Sequence, residues 1–160
     1  MHEREYTALY NTYADRLFRF CRFMTGTRVA AEDVLQAVFI KIWRGSEPPP
    51  DEIERTRWLY AVTRNACLDH IRKERRFSLF RQSLNVTDQT VDTNGDAGDE
   101  FFGMIAQLPE LERTLLYLHF KAGYSYKEME SIAQVNENTA RVRVCRALKK
   151  LRELTDKDVL

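Results

Sequence analysis

The stretch SYKEMESIAQVNENTARVRVCRALKKLR, from Ser125 to Arg152, decides the fold of this 160-residue chain. Ser125 is followed three residues later by Glu128, a pairing in which hydroxyl and carboxylate satisfy the free N–H groups of a helix start. Met129, Ile132 and Ala133 supply the apolar face of that helix. Gln134 to Glu137 reads as a short turn, and Asn138 is the expected cap of a last helix whose Ala140, Val144, Ala147, Leu148 and Leu151 share one side. At about 100° per residue, Asn138, Arg141, Val142, Cys145, Arg146 and Lys149 fall on the other side. A helix, a short turn and a strongly basic second helix are the layout of a helix-turn-helix that binds duplex DNA.

That layout assigns chemistry to residues. Arg141 and Arg146 can each donate two hydrogen bonds to a guanine edge, and Val142 can touch a thymine methyl. Asn138, Thr139, Arg143 and Cys145 complete the candidate surface, Cys145 being small enough to allow close approach. Lys149, with Lys150 and Arg152, suits phosphates, which position a helix without reading sequence.

Working back along the chain, Leu111, Leu115 and Leu118 mark a helix to about Phe120, with Pro109 at its start and Gly123 beyond its end. Phe101 to Leu108 is an expected short helix. Before it, Asn85 to Gly98 is polar and acidic, with Val86 and Val91 its large apolar residues. Such a segment cannot bury enough surface to offset its ordering entropy, so it reads as a flexible linker. The first half is helical again. Leu9, Tyr13, Leu17, Phe20 and Met24 recur at spacings of three and four, a break falls at Thr25 to Arg28, and Val34, Leu35, Val38, Phe39, Ile42 and Trp43 form a wide stripe. Pro48, Pro49 and Pro50 stop that helix, and a third is expected from about Glu54 to Arg76. Trp43 and Trp58 are expected in the core. With no strand-like alternation, the predicted fold is all-α: two small helical domains, 1–80 and 101–160, joined by an acidic linker at 81–100.

A formal charge of +1 conceals a strongly uneven distribution. Between Arg55 and Arg76 seven bases face only Asp69 and Glu74, and from Asn138 to Arg152 six bases have no acidic neighbour, whereas Asn85 to Glu100 holds five carboxylates and no base. Two cationic surfaces joined by an anionic strap suit a protein that neutralises phosphates. No apolar run approaches the length of a membrane span, and Met1 to Tyr10 lacks a signal-peptide core, so a cytoplasmic protein without membrane insertion is expected. Cys21, Cys67 and Cys145 are odd in number and far apart, which argues against disulfides and zinc. Asp69 and His70 are adjacent on a helix and point apart, and no nucleophile, phosphate-binding glycine loop, metal cluster or cofactor site stands out, so an enzyme is not expected.

Several stretches carry a resemblance. Glu32-Asp33-Val34-Leu35-Gln36-Ala37-Val38-Phe39-Ile40-Lys41-Ile42-Trp43-Arg44, Trp58-Leu59-Tyr60-Ala61-Val62-Thr63-Arg64-Asn65 with Leu68-Asp69-His70-Ile71-Arg72, Leu108-Pro109-Glu110-Leu111-Glu112-Arg113 and Gly123-Tyr124-Ser125-Tyr126-Lys127-Glu128-Met129 occur in this order. Together they resemble the extracytoplasmic-function group of bacterial sigma factors over nearly the whole chain. The resemblance implies a first domain, like sigma region 2, docking on the clamp of core RNA polymerase through Asp33, Gln36 and Phe39. It implies a third helix holding the unpaired non-template strand, with Asn65 at a flipped base and Arg57, Arg64, Arg72, Lys73, Arg75 and Arg76 for the backbone. The second domain, like sigma region 4, would read the upstream promoter element as duplex, and an anti-sigma factor is the implied regulator. Two positions depart from the pattern. Ala37 stands where many relatives carry a carboxylate, and the loop at 45–54, which would close over the flipped base with Pro49 in its pocket, carries three prolines and four carboxylates. The rival reading is a stand-alone helix-turn-helix regulator, which has no need of a basic helix aimed at single-stranded DNA.

Overall fold

Helix boundaries follow from capping chemistry in the computed structural model, which describes residues 1–84 and 99–158. α1 (Glu3–Thr25) ends at Gly26, whose φ of 87° is open to glycine and whose N–H returns to Arg22 O at 2.9 Å. Thr27 Oγ1 accepts the Ala30 N–H at 3.2 Å and opens α2 (Arg28–Trp43). Asp51 Oδ2 accepts the Glu54 N–H at 3.0 Å and opens α3 (Glu52–Ser83). α4 (Asp99–Ala106), α5 (Glu110–Phe120), α6 (Met129–Ala133) and α7 (Glu137–Asp158) follow. No strand occurs among the described residues, as the all-α expectation requires.

Some boundaries moved. α3 runs on to Ser83 instead of stopping near Arg76, because Phe77 to Ser83 contains no glycine or proline and the Arg81 guanidinium lies 4.5 Å from the Phe77 ring centroid one turn away. Residues 81–83 are therefore helix. The expected flexible linker at 85–98 lies outside the described residues. The Ser125–Glu128 box forms as expected, with the Ser125 N–H donating to Glu128 Oε1 at 3.0 Å and the Glu128 N–H to Ser125 Oγ at 3.1 Å. Asn136, not Asn138, caps α7: its Oδ1 accepts the Thr139 N–H at 2.8 Å, so Asn138 lies within the first turn.

α1, α2 and α3 form one bundle around Leu9, Tyr13, Leu17, Phe20, Met24, Val34, Val38, Ile42 and Leu59, and α4 to α7 form a second around Ile105, Leu108, Leu115, Leu118, Met129, Ile132, Ala140, Val144 and Ala147. The two expected core tryptophans diverge. Trp58 packs against the core, whereas Trp43 is 53% exposed and meets Tyr6 edge-on at 4.9 Å. Leu148, expected inward, is 37% exposed.

The bundles share a seam. The Phe20 ring lies 5.5 Å from Tyr60 and 5.1 Å from Tyr117, Phe23 lies 5.2 Å from Tyr117, and Tyr60 lies 6.0 Å from Tyr124. Arg113 is 7% exposed at this seam; its Nη1 donates to Met24 O at 2.7 Å, at the carboxyl end of α1, and its Nε to Leu108 O at 3.0 Å. A cation there meets the negative end of a helix as well as two carbonyls. Burial holds the Tyr60, Tyr117 and Tyr124 phenols above the usual tyrosine range and pushes the Arg113 guanidinium down.

Candidate nucleic-acid interface

α7 turns its small apolar residues inward, with Ala140, Val144 and Ala147 fully buried against α5 and α6, and this orients the rest of the helix. Asn138, Arg141, Val142, Cys145, Arg146 and Lys149 face solvent together, with Thr139 half-buried at the edge of the row. Arg143 departs from the expected surface. It is half-buried and turns toward α5, its Nη1 3.7 Å from the nearly buried Glu112 carboxylate, so it braces α7.

The first half presents a cleft of about 290 Å³ along the α2–α3 packing line, lined by Asp33, Ala37, Lys41, Asn65, Asp69 and Lys73 among others. Asp33 and Asn65, which the resemblance gives to polymerase and to DNA respectively, thus border the same depression. Gln36 is exposed beside it. Phe39 does not belong to such a surface: it is 3% exposed, packed edge-on against Tyr6 and Tyr10, because it falls with Leu35 and Ile42 on the inward side of α2. Pro48, Pro49 and Pro50 line a different depression with Leu9 and Tyr13 of α1, so Pro49 and Asn65 are not brought together.

Beyond Asn65, Arg72, Lys73, Arg75 and Arg76 are exposed and border one basic groove with Asp69. Arg64 is half-buried, its guanidinium held below its ordinary range by burial and then by Arg72; among the described residues it forms no ion pair. Among the described residues, Arg57 and Arg75 of α3 are engaged by the second half. Arg57 Nη2 sits 2.9 Å from Glu128 Oε2, and Arg75 Nη2 sits 2.8 Å from Glu110 Oε1. Hydrogen bonds from the Ser125 backbone and hydroxyl, then Arg57, keep the Glu128 carboxyl below its usual range. Neither carboxylate was legible as a partner from sequence, because each pair joins residues far apart in the chain. Arg113 gave one signal, a lone cation in the leucine-rich stretch Leu111 to Leu118.

Cys21 and Cys67 are buried and Cys145 is exposed. The Cys21 thiol is pushed up by its contact with Cys67 and by burial. Among the described residues no acidic, histidine and cysteine cluster suits a metal, and no helix is long and apolar enough to cross a membrane.

A basic α3 set beside a helix-turn-helix defines a DNA-handling protein of two helical parts. Residues 9–77 match the family model for Sigma-70 region 2, and residues 99–151 match that for Sigma-70 region 4. The ECF RNA polymerase sigma factor SigL of Mycobacterium tuberculosis is 29% identical over 155 residues, covering 91% of this chain and 85% of that protein. SigM of Bacillus subtilis is 26% identical, covering 94% of this chain and 95% of its own length. SigZ of the same organism is 30% identical over 78% of this chain and 72% of that protein. The sigma factor RpoE of Bartonella quintana, solved in complex with the anti-sigma factor NepR, shares the fold with a TM-score of 0.73 over 96% of this chain and 98% of that one, at 21% identity. The chain therefore belongs to the sigma-70 family of RNA polymerase sigma factors, in its extracytoplasmic-function group. Its function is promoter-directed transcription initiation with core RNA polymerase, which disfavours a regulator working without polymerase.

Proposed function

We propose the following division of labour among the residues of this sigma factor. Asp33 and Gln36 dock on the polymerase clamp. Asn65 receives an unpaired base of the downstream promoter element, while Arg64, Arg72, Lys73 and Arg76 hold the backbone of the non-template strand. Arg57 and Arg75 join them when phosphates replace Glu128 and Glu110. Unpaired bases present edges that a duplex hides, so binding them captures melting. Arg141, Val142, Cys145 and Arg146 read the upstream element in the major groove, with Asn138, Thr139 and Lys149 on the flanking backbone. The modules are α1–α3 and α4–α7, the expected 1–80 and 101–160 with their bounds carried to the helix ends at Ser83 and Asp99, working in the cytoplasm. The polymerase performs the chemistry and this chain supplies recognition. An anti-sigma factor covering both modules is the proposed regulator, a reading supported by the complex in which the structural relative was solved.

The observation that carries the reading is the solvent-facing row of α7 over a fully buried Ala140, Val144 and Ala147. The test is run-off transcription by purified core polymerase on a genomic library, with and without this protein. Discrete starts sharing two spaced upstream motifs are expected. Asn65→Ala is expected to lose opening while keeping duplex engagement, and Arg141→Ala the reverse; identical behaviour of the two variants overturns the division of labour.

A further inference from the structure

Arg141 is not a free side chain. Its Nη2 lies 3.2 Å from Glu137 Oε1, one turn earlier on α7, and its guanidinium carbon lies 5.4 Å from the centroid of the Tyr126 ring. Tyr126 precedes α6 and is itself fixed. Its ring stacks on the His119 imidazole with centroids 4.4 Å apart and planes 14° from parallel. His119 Nδ1 lies 2.8 Å from Tyr124 O; a carbonyl only accepts, so Nδ1 carries the hydrogen and the ring orientation is set. The Tyr124 carbonyl reaches His119 because the chain reverses at Gly123, φ 81°, where the Tyr124 N–H donates to Leu118 O at 2.9 Å. Glu137 is tied as well, its backbone N–H donating to Glu130 Oε1 at 2.8 Å.

Each link holds the next, from the carboxyl end of α5 through two stacked rings to one guanidinium. Arg146, the other expected base reader, has no such ring beside it among the described residues. An arginine that must offer two parallel hydrogen bonds to a guanine gains most from being aimed beforehand, since ordering a long side chain otherwise opposes binding. A cation held over an aromatic face keeps its edge N–H groups directed outward, toward a groove.

We propose that Tyr126, seated on His119, and Glu137 are positioning residues that preset Arg141 for its base contact, making Tyr126 a determinant of promoter specificity that touches no base. The proposal rests on the reading of Arg141 as a base reader, and the experiment separates the two. Core polymerase loaded with the full chain is challenged with promoters randomised across the upstream element, and bound sequences are counted for wild type, Arg141→Ala, Tyr126→Leu, Tyr126→Phe and Glu137→Gln. Tyr126→Leu keeps apolar volume without a π face, and Tyr126→Phe keeps the face without the hydroxyl. Arg141→Ala is expected to abolish a preference of roughly five- to hundredfold at one base pair. Tyr126→Leu is expected to weaken that same preference by about two- to fivefold, leaving the other positions and the salt dependence at wild-type values. Tyr126→Phe should match wild type, and Glu137→Gln should fall between them. A preference lost in Arg141→Ala but intact in Tyr126→Leu overturns the positioning role while the base contact stands. Uniform weakening at every position in both tyrosine variants overturns it too, because it marks the hydroxyl as a phosphate contact. No preference lost in Arg141→Ala removes the base reading and this proposal with it.

Discussion

α3 and α7 are both cationic helices, yet their cations are occupied in different ways. On α7 the partners are internal to the second half: Glu137 for Arg141 and Glu112 for Arg143. On α3, among the described residues, two cations take carboxylate partners from across the seam, Glu128 for Arg57 and Glu110 for Arg75. Separating the halves would leave the first pair of contacts untouched and release the second. The outward row of α7 is thus formed within its own module, whereas the state of Arg57 and Arg75 on α3 depends on where the other module sits. A carboxylate and a phosphate compete for the same guanidinium fork, so full use of α3 by a DNA strand requires Glu128 and Glu110 to withdraw.

Phe20 sits at the centre of the seam between the halves. Phe20 is fully buried and contacts Tyr60 on its own side and Tyr117 on the other. Phe20→Ala should cost about 3–5 kcal/mol in urea denaturation of the whole chain. Phe77→Ala on the exposed end of α3 should stay within about 0.5 kcal/mol. Similar costs for both would mean that the halves do not share a core. Tyr60, Tyr117 and Tyr124 all meet at the seam with phenols raised chiefly by burial. Because the folded values lie above the unfolded value of about 10, their contribution is fully present below about pH 10 and is lost as pH rises toward the folded values. The urea midpoint should fall steeply above about pH 10, and Tyr60→Phe should blunt that fall. A small effect is expected at the Arg75–Glu110 ion pair. Glu110→Gln should cost about 0.2–1 kcal/mol at low salt and less at high salt, while raising the affinity of the chain for single-stranded DNA. A stability loss that persists in high salt would show that Glu110 does more than pair with Arg75.

Periodicity made the helices and most of the core legible, since each α1 position from Leu9 to Met24 that the spacing marked as inward is buried. The Ser125–Glu128 box was readable because its partners are three residues apart. The misses have distinct causes. Asn136 and Asn138 are both good caps, and only the path of the turn selects one. The stripe of α2 is so wide that Phe39 and Trp43 look alike in sequence, although one is 3% and the other 53% exposed. Arg143 lies at the edge of the outward row, and Glu112 draws it back. The seam was out of reach for a different reason. Tyr117, Tyr124 and Arg113 look like ordinary members of their own helices and loops until the partner surface is present, and Arg113 meets Met24 O from the far side of the chain's acidic stretch.

The length of α3 has a mechanical consequence. Arg57 and Arg75 lie eighteen residues apart on one uninterrupted helix, about 27 Å along its axis, and each is fastened to the second half. A beam pinned at two distant points resists rotation as well as sliding, because tilting about either pin strains the other. The two ion pairs thus set the rotational register of α3 against the second half as well as its position along the axis.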